Sequence, residues 1–211
     1  MDRDAHQSFE EASEAAFQEH KLRIFKFIDE LLWQQAEADD SMDTYYKYLD
    51  VASIVSGSYV EQASNKIDEH LWRGAVLRGV LDGYEEYLML GPIQKHAHEA
   101  RDAIDEIDWS TAISENTIDA YLSYLEKHRE GKHAQEARDA IDDIYWQETR
   151  SEHTVEAYEH YLSLFSNGRH RAEALQAIAA LRRAPYIKFL LFIIAIIATL
   201  LTANYYLNNG R

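Results

Sequence analysis

Ten histidines and 37 carboxylates in 211 residues are the side chains of which metal centres and acid–base pairs are made, so their spacing decides whether such a site exists. His96, His133 and His170 recur every 37 residues; His20 belongs to the same series, and Tyr59 fills its remaining position. A residue repeated in register does the same structural job each time, and these rings are expected to hydrogen-bond near the start of a helix. His96 and His98 stand two apart and share no helical face. The chain has no His-Glu-x-x-His pair, and its acidic clusters lack calcium-loop spacing. Without cysteine there is no thiolate ligand or nucleophile. Serine occurs outside any nucleophile elbow, and no glycine-rich phosphate loop follows a strand pattern. The expectation is a protein with no catalytic residues, metal ligands, cofactor or small-molecule substrate, hence not an enzyme.

Tyrosine is the other repeated chemistry. Tyr45, Tyr84, Tyr121 and Tyr158 recur at intervals of 39, 37 and 37, each followed three residues later by Tyr48, Tyr87, Tyr124 or Tyr161. Spacing of three and four sets such residues on one helical stripe. The leading tyrosines are expected in the core. Tyr48, Tyr87, Tyr124 and Tyr161 are candidates for anchoring a partner, as aromatics do at hot spots, together with Glu86 and His160. Lys47, Glu86, Ser123 and His160 are expected to line a groove.

These residues require helical pairs to position them. HAHEARDAIDEIDW at 96–109 and HAQEARDAIDDIYW at 133–146 are near-copies with apolar residues at helical spacing, so a supersecondary unit is repeated. First helices begin at Met42, Leu81, Ile118 and Val155. Second helices carry Ala63, Ala100, Ala137 and Ala174, small enough for close approach, with Ile67, Ile104, Ile141 and Ile178. Trp33, Trp72, Trp109 and Trp146 follow as repeat core, with Arg183 at that position in the last copy. Asp40 and Asn116 are expected as N-caps, followed by acids at Asp43, Asp82, Asp119 and Glu156 that meet the positive end of each helix. Gly57, Gly131 and Gly168, with Gln94 in the remaining unit, are expected to supply left-handed turns.

Two prolines and eight glycines favour long helices and short turns. The charge of −16 is unevenly divided. Residues 182–211 hold Arg182, Arg183, Lys188 and Arg211 with no acid, +4 in all, which leaves −20 on residues 1–181. So acidic a domain is repelled by nucleic-acid phosphate and attracts basic segments of protein partners. The polar, acidic N-terminus has no signal-peptide core, which leaves the domain on the side where it is made. Phe189–Leu207 is a 19-residue run without charge, roughly 28 Å as a helix and close to the ~30 Å bilayer core. Tyr205 and Tyr206 lie at one end, with Arg182, Arg183 and Lys188 before the other. This predicts a single-pass anchor with the domain cytosolic. The boundaries expected are a helical cap or degenerate repeat at 1–37, repeats at 38–181, a basic linker at 182–188 set off by Pro185, a span at 189–207 and a short tail at 208–211.

The stretches AYLSYLEKHREGKHAQEARDAI (120–141) and AYEHYLSLFSNGRHRAEALQAI (157–178) resemble the tetratricopeptide repeat (TPR) superfamily. The likeness is to a bacterial variant in which a Tyr-x-x-Tyr-Leu helix, a glycine turn and a His-Ala-x-x-Ala helix follow one another. It covers about residues 40–181. The repeat departs from the pattern in running 37 residues rather than about 34 and in lacking the closing proline. The resemblance implies an all-α, right-handed TPR-like helical-repeat solenoid used for protein–protein interaction and scaffolding. The layout also looks like tail-anchored repeat adaptors such as the mitochondrial fission adaptor. The functional expectation is a membrane-tethered adaptor, in a bacterial plasma membrane or alternatively an organelle outer membrane; the other reading is a permanent accessory or assembly subunit of a membrane complex.

Overall fold

The structure, a computed structural model, describes residues 3–209, with side chains from residue 6 to residue 205. Within these residues it has nine α-helices and no strand: α1 Arg3–Asp39, α2 Met42–Val55, α3 Val60–Arg78, α4 Leu81–Leu90, α5 Ala97–Glu115, α6 Ile118–Lys127, α7 Ala134–Glu152, α8 Val155–Leu164 and α9 Arg171–Asn209. The protein is therefore all-α. It divides into two compact units, Met1–Ile107 and Asp108–Arg211.

In the first unit α2 packs on α1 and α3, and α3 on α4. Their core holds Trp33, Tyr45, Tyr48, Ala63, Ile67, Leu71, Ala75 and Tyr87. In the second unit α6 packs on α7, α7 on α8, and α8 on α9. Its core has two parts, around Tyr121, Tyr124, Ala137 and Ile141, and around Trp146, Tyr158, Tyr161, Ala174 and Ile178. Ala63, Ala75, Ala137 and Ala174 are fully buried, because only a methyl side chain lets neighbouring backbones come that close.

The helix starts differ from expectation by one residue. The caps of α2, α6 and α8 are Ser41, Thr117 and Thr154, whose hydroxyls accept from the N–H of Thr44, Ala120 and Ala157. Asp40 and Asn116 instead end the preceding helix. With Gly79 and His153 they adopt φ of 44° to 61° and donate their N–H to Ala36, Ala112, Ala75 and Thr149, respectively. That left-handed conformation favours Gly, Asn and Asp, which is why such residues stand there.

The turn glycines also do a different job. In the first turn the left-handed residue is Ser56, and Gln94 plays that part in the next. Gly57 and Gly168 have no positive φ; they are small because of what surrounds them. A Cβ on Gly168 would come within 2.7 Å of the Phe165 Cβ and 2.9 Å of the Tyr161 hydroxyl, and one on Gly57 within 2.5 Å of the Ala52 Cβ.

α9 is continuous from the last repeat position into the tail, with Pro185 inside it rather than between two helices. The stretch expected as a linker at 182–188 is therefore helical. The apolar part of α9 is long and apolar enough to cross a membrane, and none of it is buried against the protein. Arg182 pairs with Glu159 of α8 at 2.6 Å, while Arg183, Lys188 and Tyr205 are exposed. The side chain of Tyr206 and all of Arg211 lie outside the described residues.

Candidate interaction groove and the residues that shape it

The helical pairs are held in register by a buried carboxylate in each of four copies. Asp29, Asp68, Asp105 and Asp142 recur at 39, 37 and 37, one residue after the repeated isoleucine, and are exposed by only 4%, 0%, 6% and 5%. Asp29 accepts from the Tyr48 hydroxyl at 2.6 Å and the Ser58 N–H at 2.9 Å. Asp68 accepts from the Tyr87 hydroxyl at 3.0 Å and from the N–H groups of Gln94 and Lys95 at 2.8 and 3.2 Å. Asp142 takes the Tyr161 hydroxyl and, at 2.9 Å, the Arg169 N–H. Each tyrosine also accepts: Tyr48 from the Tyr59 N–H, Tyr87 from the His96 N–H and Tyr124 from the His133 N–H, at 3.0, 2.8 and 3.2 Å. A buried carboxylate is tolerable only when so many donors replace its water.

Tyr48, Tyr87, Tyr124 and Tyr161 are therefore interior struts, at most 2% exposed. This corrects the expectation that they meet a partner directly, since a side chain that closes such a lock presents no surface. Of the leading tyrosines, Tyr45, Tyr121 and Tyr158 are buried and Tyr84 half-buried. Their hydroxyls reach the helix-ending residues: Tyr45 donates to Asp40, Tyr121 donates to Asn116, and Tyr158 pairs with His153 Nδ1.

The recurrent histidines serve by stacking. The rings of His96, His133 and His170 lie on Trp72, Trp109 and Trp146 at 4.7 to 4.9 Å and within 12° of parallel, and Tyr59 does the same on Trp33 at 5.0 Å. Trp33 and Trp146 are buried, Trp72 and Trp109 half-buried. An acid next to the buried aspartate faces each of three of these rings: Glu30 for Tyr59, Glu69 for His96 and Asp143 for His170.

The electrostatics follow this geometry. Burial opposes the charge on Asp29, yet the Tyr48 hydroxyl and the Ser58 N–H outweigh it and hold the carboxyl below its usual range. Burial, and then the aspartate beside each, pushes Tyr48 and Tyr87 up to about 12. Burial and Asp142 likewise push Tyr161 up. The Tyr45 hydroxyl, followed by Lys66, draws the exposed Asp40 down to about 2.

With the tyrosines inside, the open surface lies beside them, between the end of each second helix and the next first helix. At α1/α2 it is a cleft of about 90 Å³ beside Lys47, and at the end of α5 and α6 one of about 100 Å³ beside Ser123. There Asp108 is clamped by Lys127 at 3.1 Å and His128 at 2.8 Å. Between α3 and α4 the Arg78–Glu86 pair, at 2.6 Å, bridges the corresponding place, so Glu86 is engaged. Between α7 and α8 the groove widens to about 430 Å³. Tyr145, Thr149 and Ala157 form its floor, and Glu148, Glu152, Glu156 and His160 its rim.

Among the described residues no cation lies within ion-pair distance of Glu148, Glu152 or Glu156. Like charges four apart on a helix, as at Glu148 and Glu152, cost a few tenths of a kcal/mol. Folding gains nothing from that pair, whereas a cationic ligand would. Lys47, Ser123 and His160 line clefts; Glu148 and Glu152 read in the sequence only as part of the acidic excess and Glu156 as a first-turn acid, and the cleft alone brings the three together.

No family model, curated protein or solved structure matches the chain.

Proposed function

We propose that this protein is a membrane-tethered interaction scaffold or adaptor built of TPR-like helical pairs, and that its α7/α8 groove takes a basic segment of a protein partner. The observation that carries the reading is a rim of three uncompensated glutamates around a partly apolar floor. Exposed ion pairs contribute about 0.2–1 kcal/mol each, so three supply about 1–2 kcal/mol and a strong salt dependence. This suits reversible recruitment. The apolar end of α9 is the anchor in this reading, and Arg182, Arg183 and Lys188 before it favour a cytosolic domain. The Thr199 and Thr202 hydroxyls bond to their own helix's carbonyls, which suits a plain anchor more than a span that grips neighbours. Use of the histidines as stacking rings favours binding over catalysis.

The test is mild-detergent extraction of the full-length protein from its native membranes, with identification of what co-purifies. Soluble proteins released by high salt and by Glu148→Lys/Glu152→Lys are expected. Stoichiometric integral-membrane subunits that stay bound in both cases would replace the adaptor with a fixed subunit of a complex.

A further inference from the structure

The N-terminal helix carries a surface that neither the groove nor the tail uses. Every side chain from His6 to Ile24 is exposed. The contacts along this part of α1 include i, i+4 pairs of the helix with itself, such as Gln7–Glu11, Gln18–Glu14 and Arg23–Glu19. A helix without a buried face is marginal in water. Yet four large apolar side chains share one line of it: Phe17, Ile24, Phe27 and Leu31 are 62%, 44%, 68% and 53% exposed, while Leu22, 70% exposed, stands alone on the other side. With His20 their spacing is 3, 4, 3 and 4, the a and d positions of a coiled coil. The seam lies opposite Asp29 and Ala36, which face the core.

We infer that this seam pairs two copies of the chain, α1 against α1, as a parallel two-stranded coiled coil. Three observations select that occupant. The first is shape: Phe17, His20, Lys21, Ile24 and Phe25 line a depression of about 170 Å³, and the first four of these, at a, d, e and the next a, are the positions that form the hole for a d side chain of a parallel partner. The second is area. Four large apolar side chains, each more than two-fifths exposed, together with Phe9 at 74%, present on the order of 500–600 Å². With the flanking stems this approaches the ~800 Å² that each partner buries in a stable interface. The third is charge. Parallel pairing sets Ala16 beside Lys21 and Arg23 beside Ile28 of the other copy, with no like charges opposed. Antiparallel pairing over the same core, Phe17 on Phe27, sets Arg23 against Arg23 and Lys21 against Lys21. A bilayer is a poorer occupant, because Glu10, Glu11, Glu14 and Glu19 on the same helix repel anionic lipid.

The chain has no cysteine, so single cysteines report pairing cleanly. In native membranes, mild oxidation of the full-length His20→Cys chain should give a covalent dimer, since facing d positions lie within disulfide reach. Leu22→Cys, exposed on the opposite side of α1, should not cross-link. Ile24→Glu should raise the dimer dissociation constant on the order of 100-fold by light scattering in detergent while leaving the helical melt intact, because Ile24 touches no core. A monomeric mass with no cross-link, or equal cross-linking at Leu22, would overturn the pairing. Cross-linking only between a His20→Cys and an Ile24→Cys chain would overturn its parallel sense.

Discussion

Tyr87→Phe tests whether the buried tyrosine–aspartate lock carries the fold. The ring stays and only the hydroxyl leaves, so packing is preserved at a position with no exposure. The hydroxyl donates to Asp68 Oδ2 at 3.0 Å and accepts the His96 N–H at 2.8 Å. A hydrogen bond to a charged group contributes about 1.5–3 kcal/mol, and a stranded buried N–H costs about 1–3 kcal/mol. Asp68 keeps the N–H groups of Gln94 and Lys95, which limits the damage on its side. The expected loss is about 3 kcal/mol, or ~6–12 °C in Tm for a domain of this size. The assay is a thermal melt by circular dichroism on the full-length protein in mild detergent, with Tyr46→Phe, at an exposed ring, as control and expected to change stability by less than about 0.5 kcal/mol. Combining Tyr87→Phe with Asp68→Asn should cost less than the sum of the two, with a coupling of about 1–2 kcal/mol. A Tyr87→Phe melt within about 2 °C of the parent, or strict additivity, would refute the lock as a source of stability.

Two further outcomes follow from the same geometry. Val80 stands where Ser41, Thr117 and Thr154 cap their helices, with φ −121° and ψ 158°, and makes no side-chain cap; Val80→Thr should therefore raise stability by about 1 kcal/mol, seen as a higher denaturant midpoint, and an unchanged midpoint would mean that backbone shape does not define the cap. Tyr48 and Tyr87, raised from 10.0 to about 12, favour the fold fully below pH 10, and that contribution is lost as pH rises through 12. Each is worth roughly 2–3 kcal/mol at most, so tyrosinate absorbance from Tyr48 and Tyr87 should appear only near pH 12 and cooperatively with unfolding; their ionisation near pH 10 in the folded protein, followed by comparison with Tyr48→Phe and Tyr87→Phe, would contradict the burial.

The helical class, the positions of the pairs, the apolar tail and the recurrence of histidine and tryptophan were legible in the chain, because periodicity of 3.6 and recurrence near 37 are properties of the sequence alone; that the histidine rings stack on the tryptophans, rather than serving chiefly as hydrogen-bonding groups at a helix start, came from the packing. The buried aspartates recur as plainly as the tyrosines. Their role is not legible in the sequence, because an acid beside an isoleucine reads as a solvated face until the neighbouring helix supplies its donors. The same holds for the caps: Asp40 and Ser41 are adjacent and both able to cap, and only the backbone shows that one ends α1 and the other begins α2. Whether a repeated tyrosine faces a partner or the core depends on which side the next helix occupies, and no local spacing encodes that. Tertiary packing alone decided that the tyrosines are struts, that Gly168 is small to clear a hydroxyl, and that one groove of several stays open with its glutamates uncompensated. A contact between residues far apart in the chain exists only once both elements are in place, so its consequences are written in three dimensions.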